Sequence, residues 1–337
     1  MAIDIGFPDD RPLDVIPLGR ATLDINTKDV SYTFTDAPSL KHYVGGSPAN
    51  TAIGLARLGA RVGFIGKVSD DSVGRFIVAT MQREGVDVSH LTRCAPGVCL
   101  GLAFTEAMEN GQTDLVLYRE GRVADLQLSA DDISPDYIAS ARCLIVSGTA
   151  LSASPSREAA LEATRIARER GVPIVLDVDY RPQAWRSPRD AGLYAALVAQ
   201  HAAVIMGSRE EHDLLSNGPE DDAATAARAF GNGTALVIIK HGKQGSRAYS
   251  RDGESYQVNI VPVQALKSTG GGDAYSSALL YGLLSGEGLR RALELATASA
   301  SMVIGAPSCS EAMPTRGEID AFIGSSALGM DQVVQPL

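Results

Sequence analysis

Three successive glycines, Gly270, Gly271 and Gly272, are followed at once by Asp273 and an apolar run of helical spacing, in the stretch LKSTGGGDAYSSALLYGL (residues 266–283). Glycine is poor in helix interiors and in strands, so three of them at the mouth of a helix need a reason. The first backbone N–H groups of a helix have no intrahelical partner, and the helix dipole adds partial positive charge there. Glycines let that backbone approach a ligand closely, so the turn can form a nest of donors for a phosphate. A carboxylate would repel such an anion if it were one more ligand. Asp273 makes chemical sense as a base beside the phosphate, taking the proton of an alcohol that attacks it. Taken alone, the stretch reads as readily as a tight strand-to-helix turn with Asp273 as its cap.

Small residues precede a helix a second time in VGGSPANTAIGLARLG (residues 44–59), with Asn50 near the start. Tyr118, Arg119 and Arg181 stand near the ends of expected strands, in LYREGRVAD and LDVDYRPQAW. Arginine suits carboxylate and phosphate because its planar fork binds two oxygens, although surface ion pairing is its commoner use. In SREEHDLL (residues 208–215), Ser208 can cap a helix whose first turn carries acids. The chain has neither GxxxxGK[ST] nor a clean GxGxxG after its first strand, which argues against a P-loop enzyme and a nicotinamide dehydrogenase.

The elements that must position these residues alternate between short β-branched runs and helical patterns. Strands are expected at 13–19, 61–68, 141–148, 172–179, 201–208 and 234–242. Helices are expected at 47–59, 72–85, 154–171 (Ser154 as N-cap), after the glycine turn, and at 288–305. Such alternation predicts a parallel sheet covered by helices on both faces. Residues 24–44 and 98–120 break the rhythm as short strands and turns, with a hairpin expected at MENGQT, and suggest a small accessory sheet. One domain over 15–325 is the economical reading, with 1–14 and 326–337 as tails.

The 337 residues carry 30 basic and 40 acidic side chains, a net charge of −10. That balance disfavours nucleic acid or an anionic membrane as the main partner. The four cysteines form no CxxC and the five histidines no HxxxH, so neither a zinc site nor a disulfide framework is expected. Neither a signal peptide nor a run of membrane-spanning length is evident, and a cytoplasmic location is expected.

The glycine–aspartate turn and the 44–76 stretch together resemble the two signatures of the PfkB (ribokinase-like) carbohydrate kinases. The likeness runs from PLGRATLDIN (residues 17–26) through VSDDSVG (68–74) to SEAMPTRGEIDAFI (310–323). It implies an α/β fold, a three-layer α/β/α sandwich with a mostly parallel central sheet and a small β-sheet lid. It implies Gly270, Gly271 and Gly272 as an anion hole and Asp273 as catalytic base. Gly271 stands where the family usually has alanine, and Lys267 where an aspartate commonly helps organise a monovalent-cation site. A lysine ammonium can replace such a cation, so potassium dependence in its usual form is doubtful. Asp24, Gly45, Gly46 and Asn50 fall on the substrate side. Ser208 and Glu211 match an NxxE motif, serine replacing asparagine, with Glu211 orienting magnesium-bound water. Lys240, Gly242 and Gly245 match the nucleotide-contacting strand and turn. ATP and magnesium are the implied cofactors, and a homodimer through the accessory sheet the implied assembly.

Within the family, YREGRVADLQL, SGTALSASPSR, DVDYRPQAW and GSREEHDLL resemble kinases of sugar acids. Tyr118, Arg119 and Arg181 would then hold the sugar carboxylate or the travelling phosphate, with Asp179 replacing a usual asparagine. The finest likeness implies 5-dehydro-2-deoxygluconate, a sugar acid of myo-inositol breakdown, as substrate. The runners-up are 2-keto-3-deoxygluconate and then fructose; a non-catalytic sugar sensor of the same fold is the reading from another class.

Overall fold

The apolar β-branched runs fold as strands buried on both faces, which is why they read as continuous rather than alternating. The computed structural model describes residues 3–27, 32–107, 113–216, 218–326 and 329–337. Its strands are β1 (Leu13–Leu18), β2 (Thr22–Thr27), β3 (Leu40–Gly45), β4 (Gly63–Val68), β5 (Asp87–Arg93), β6 (Leu102–Ala107) and β7 (Thr113–Tyr118). They continue as β8 (Ala141–Ser147), β9 (Ile174–Asp177), β10 (Ala202–Ser208), β11 (Leu236–Lys240), β12 (Ser246–Ser250), β13 (Ser255–Val258) and β14 (Val334–Pro336).

Ten strands form the main sheet in the order β14-β13-β12-β11-β10-β9-β8-β1-β4-β5. From β11 to β5 every pairing is parallel, and β12, β13 and β14 extend the sheet antiparallel. Residues 326–337, read from the sequence as a tail, thus end in an edge strand of this sheet.

Side chains alternate across the sheet with period two. Val15, Ile145 and Val175 face one helical layer, and Ile16, Leu144 and Leu176 face the other. Helices Ser47–Leu58, Ser72–Arg83, Gly271–Leu284 and Leu289–Ile304 cover the first face. Helices Ser156–Glu169, Pro188–Ala199 and Asp222–Gly231 cover the second. Each fully buried Val, Leu or Ile of these layers contributes about 1.5–3 kcal/mol relative to exposure. The helix expected from residue 154 begins at Ser156 instead, and Ser154 donates its hydroxyl to the Glu158 carboxylate rather than capping the first turn.

The two segments that broke the rhythm form a separate four-stranded sheet in the order β3-β2-β6-β7. The tip expected at MENGQT lies mostly outside the described residues, but β6 and β7 pair antiparallel on either side of it. Ser310 Oγ donates to the Val44 carbonyl (2.6 Å) and Asn26 Nδ2 to that of Pro307 (3.2 Å), which tie this small sheet to the body. Among the described residues no helix is long and apolar enough to cross a membrane, and all four cysteines are unpaired.

Candidate active site

Parallel strands end on one edge of their sheet, and the loops that follow converge there. Here that edge brings together Arg20 after β1, Asp179 and Arg181 after β9, Ser208 at the end of β10 with Glu211 just beyond, and Lys240 at the end of β11. The helix Gly271–Leu284 starts beside this edge, since Ser276 Oγ donates to Asp177 Oδ2 at 3.2 Å.

Gly270 is the residue before that helix and has φ +83°, in the left-handed region that glycine favours. A Cβ on it would lie 2.7 Å from Cys309 Sγ, so space as well as backbone demands glycine. A Cβ on Gly271 would lie 2.8 Å from Ile304 Cγ2, so an alanine here would have to displace that side chain. Gly272 is open, with the Lys240 ammonium 3.6 Å from its Cβ position.

The Asp273 carboxylate is gripped from the neighbouring helix. Ser47 Oγ donates to Oδ1 at 2.7 Å and Asn50 Nδ2 to Oδ2 at 2.8 Å. Ser47 and Asn50 are one turn apart on the helix Ser47–Leu58, so they reach the same point. The two helices approach closely enough that a Cβ on Gly54 would lie 2.5 Å from Ser277 Oγ. Burial and the nearby Asp179 carboxylate push the Asp273 pKa above the ordinary carboxylate range, against the two hydrogen bonds and Arg181. Ser47 escaped the sequence reading, although it lies inside the quoted motif three residues before Asn50.

Asp24 on β2 packs against Gly45 so tightly that a Cβ there would fall 1.7 Å from Asp24 Oδ1. Gly46 has φ +91°, and its Cβ direction is closed by the Arg20 carbonyl oxygen at 2.7 Å. Burial raises the Asp24 pKa to about 6, opposed by Arg20 and the Thr22 hydroxyl.

Lys267 is 2% exposed. Its ammonium donates to the carbonyls of Thr269 (3.0 Å) and Val303 (2.8 Å), so it holds the glycine turn onto the helix Leu289–Ile304. Burial lowers its pKa, against the pull of Cys309, Asp273 and Asp24.

Glu211 accepts from the backbone N–H of Ser208 (2.6 Å) and of Tyr180 (2.7 Å), pinning two strand-end loops together. Ser208 Oγ accepts from the Glu211 N–H at 3.2 Å, so the serine and the acid cap the helix reciprocally. Lys240 Nζ lies 3.8 Å from Asp177 Oδ1. Burial alone would lower its pKa, but Asp177, Glu211, Asp273 and Asp179 outweigh it and keep the ammonium charged. Gly242 opens a turn with φ +58°. For Gly245 the structure supplies a local reason, because its Cβ would fall 1.9 Å from the Val258 carbonyl oxygen of β13.

The arginines divide. Arg119 is buried and its donors are taken by Asp125 (2.6 Å), Ser152 (3.2 Å) and the Thr149 carbonyl (3.0 Å). Arg181 Nη2 pairs with Asp179 Oδ1 at 2.8 Å. Tyr118 is not brought to the site. It is 61% exposed and shares an apolar face with Leu102, Phe104 and Val116, whereas Leu117 and Arg119 line a pocket with Arg20 and Arg181. Period-two alternation along β7 puts its side chain on the opposite side of the sheet from theirs.

A glycine-opened helix N-terminus, a carboxylate held beside it, and a lid sheet carrying a second carboxylate are arranged as in a small-molecule phosphotransferase. The residue pattern of the pfkB family of carbohydrate kinases matches residues 14–316, and the chain belongs to that family. It is 47% identical over 322 residues, 95% of each chain, to 5-dehydro-2-deoxygluconokinase of Clostridium perfringens. It is 44% identical over 320 residues, 94% of this chain and 95% of the other, to the protein of that name from Geobacillus thermodenitrificans. Among solved structures, the PfkB protein from Polaromonas sp. JS666 superposes with a TM-score of 0.80 at 26% identity, over 92% of this chain and 99% of that one.

Proposed function

We propose that the protein transfers the γ-phosphoryl group of ATP to the C6 hydroxyl of 5-dehydro-2-deoxygluconate. The observation that carries this reading is the Asp273 carboxylate, fixed by Ser47 and Asn50 at the mouth of a glycine-opened helix. The substrate follows the name of relatives 47% identical over 95% of the chain. Asp273 takes the hydroxyl proton as the sugar oxygen bonds to the γ-phosphorus, and the bond from that phosphorus to the bridging oxygen of ADP breaks. The N–H groups of Gly270, Gly271 and Gly272, with the Lys240 ammonium, receive the charge spread over the phosphoryl oxygens. Asp24 accepts from sugar hydroxyls. The Asn50 amide oxygen is buried without a hydrogen-bond partner among the described residues and offers a further acceptor.

Magnesium, when bound with ATP, neutralises phosphate charge. Among the described residues no cluster of three or more His, Cys, Asp or Glu side chains suits a metal. That fits an ion held chiefly by phosphates and water, with Glu211 orienting a water ligand.

Turnover of ATP with a panel of sugars tests the assignment. The kcat/KM for 5-dehydro-2-deoxygluconate is expected to exceed that for 2-keto-3-deoxygluconate and fructose. A preference for fructose overturns the acid reading, and no ADP release with any sugar points to a sensor.

The Lys267 ammonium bonds the Thr269 and Val303 carbonyls beside the glycine turn, which supports a turn that needs no monovalent cation. Exchange of potassium for choline is expected to change kcat by less than about twofold, well under the tenfold that 1.4 kcal/mol would give. A steep potassium requirement would refute this role. The apolar outer face of the lid exposes Val116 and Tyr118 at 46% and 61%, which supports a homodimer through that sheet. Sedimentation should return twice 35.3 kDa, and Val116→Asp should shift the mass to that of one chain. A monomeric wild type would end the proposal.

A further inference from the structure

We infer that Arg20 is the anchor for the substrate carboxylate and sets the preference for a sugar acid over a neutral sugar. This rests on the sugar-acid reading proposed above. Arg20 leaves the carboxyl end of β1 and is only 7% exposed. Its Nη2 lies 3.4 Å from Asp179 Oδ2. Its Nη1 is buried and has no hydrogen-bond partner among the described residues. A buried guanidinium N–H left unpaired is costly, so such a donor marks a place where an acceptor belongs.

The surroundings say which acceptor. Arg20, Arg119 and Arg181 line one pocket with Leu117, Gln183 and Ala184. Each guanidinium nitrogen of Arg119 already has a partner within the protein. Arg181 is more exposed and directs Nη2 to Asp179 and Nη1 to the Tyr180 carbonyl. Of these three, Arg20 is the one with a buried nitrogen that has no partner among the described residues. Three consecutive residues tie this corner together: Gly45 packs on Asp24, Gly46 on the Arg20 backbone, and Ser47 bonds Asp273. A linear sugar acid carries its reacting C6 hydroxyl and its C1 carboxylate at opposite ends, so with the hydroxyl at Asp273 the carboxylate is free to reach Arg20. A guanidinium edge suits a planar carboxylate, whereas a single hydroxyl would leave half of it unused.

Asp179 acts through Arg20 as a positioning residue. It has φ +37°, unusual for a residue with a side chain. It accepts from Ser147 Oγ (3.0 Å) and Thr149 Oγ1 (3.2 Å) and pairs with both Arg20 and Arg181. Two guanidiniums need a carboxylate between them, which explains an aspartate where the related kinases carry an amide.

The test compares 5-dehydro-2-deoxygluconate with its C1 primary amide, each with ATP. Wild type is expected to favour the acid. Arg20→Met should reduce the acid-to-amide ratio of kcat/KM by about 30- to 1000-fold, chiefly through KM for the acid, and Arg20→Lys should restore part of it. A wild type that prefers the amide or fructose defeats the sugar-acid reading and this inference with it. A wild type that prefers the acid while Arg20→Met keeps the same ratio defeats the inference alone. If the variants melt too low for assay, a structure of the unaltered protein with the sugar acid and ADP decides. A carboxylate oxygen about 3 Å from Arg20 Nη1 supports the assignment, and a carboxylate bound elsewhere overturns it.

Discussion

Asp273→Asn is expected to lower kcat by about 10²–10⁴, with KM for both substrates nearly unchanged. That range corresponds to about 3–5 kcal/mol of transition-state stabilisation. Asparagine has almost the same shape and can keep a contact to Ser47 Oγ, so the fold should survive, but it cannot take a proton. The pH profile gives a second reading. Burial and Asp179 hold the Asp273 pKa above the ordinary carboxylate range, so more of the carboxylate is protonated at a given acidic pH. Activity is therefore lost as pH falls through that raised pKa, at a higher pH than an exposed aspartate would show. The acid limb that belongs to Asp273 should vanish in the variant. Coupled ADP release over a pH series measures both effects. Equal turnover by wild type and variant would mean that another group is the base.

Gly270→Ala carries the next largest effect. At φ +83° a side chain costs about 1–2 kcal/mol from backbone sterics alone. The new methyl would also lie 2.7 Å from Cys309 Sγ, 3.0 Å from Cys309 Cβ and 3.2 Å from Val303 Cγ1. Cys309 and Val303 are themselves buried, at 8% and 0% exposure, so the wall has little room to give and the turn shifts. In the proposed anion hole, moving the turn takes its N–H donors away from the phosphoryl oxygens, and loss of one preorganised donor commonly costs about 10²–10³ in kcat. Gly231→Ala, at the end of the helix Asp222–Gly231, serves as the control, because its methyl would meet nothing within 4 Å. Steady-state kinetics of the two variants should separate clearly. If Gly270→Ala turns over as fast as Gly231→Ala, the turn does not act as an anion hole.

Much of this was legible in the chain. The β-branched runs and their spacing announce a parallel sheet, because strands covered on both faces must be apolar throughout. The glycine–aspartate turn reads as chemistry because unpaired N–H groups and a base are local properties of a few consecutive residues. Ser208 and Glu211 form the reciprocal cap that their spacing allows, for the same reason.

What required the fold were relations between distant segments. Ser47 and Asn50 reach Asp273 across 226 and 223 residues of chain, and no periodicity encodes that meeting. Tyr118 and Arg119 are neighbours in sequence, yet the pleat sends them to opposite faces of the lid, and only strand register says which face is which. Arg20 was not singled out in the sequence, and only packing buries it beside Asp179 with one nitrogen unpartnered among the described residues. Local backbone chemistry thus determined the class of reaction. The choice of which charged groups face the substrate was left to tertiary packing, because burial and the distances between charges belong to the folded chain and not to any segment of it.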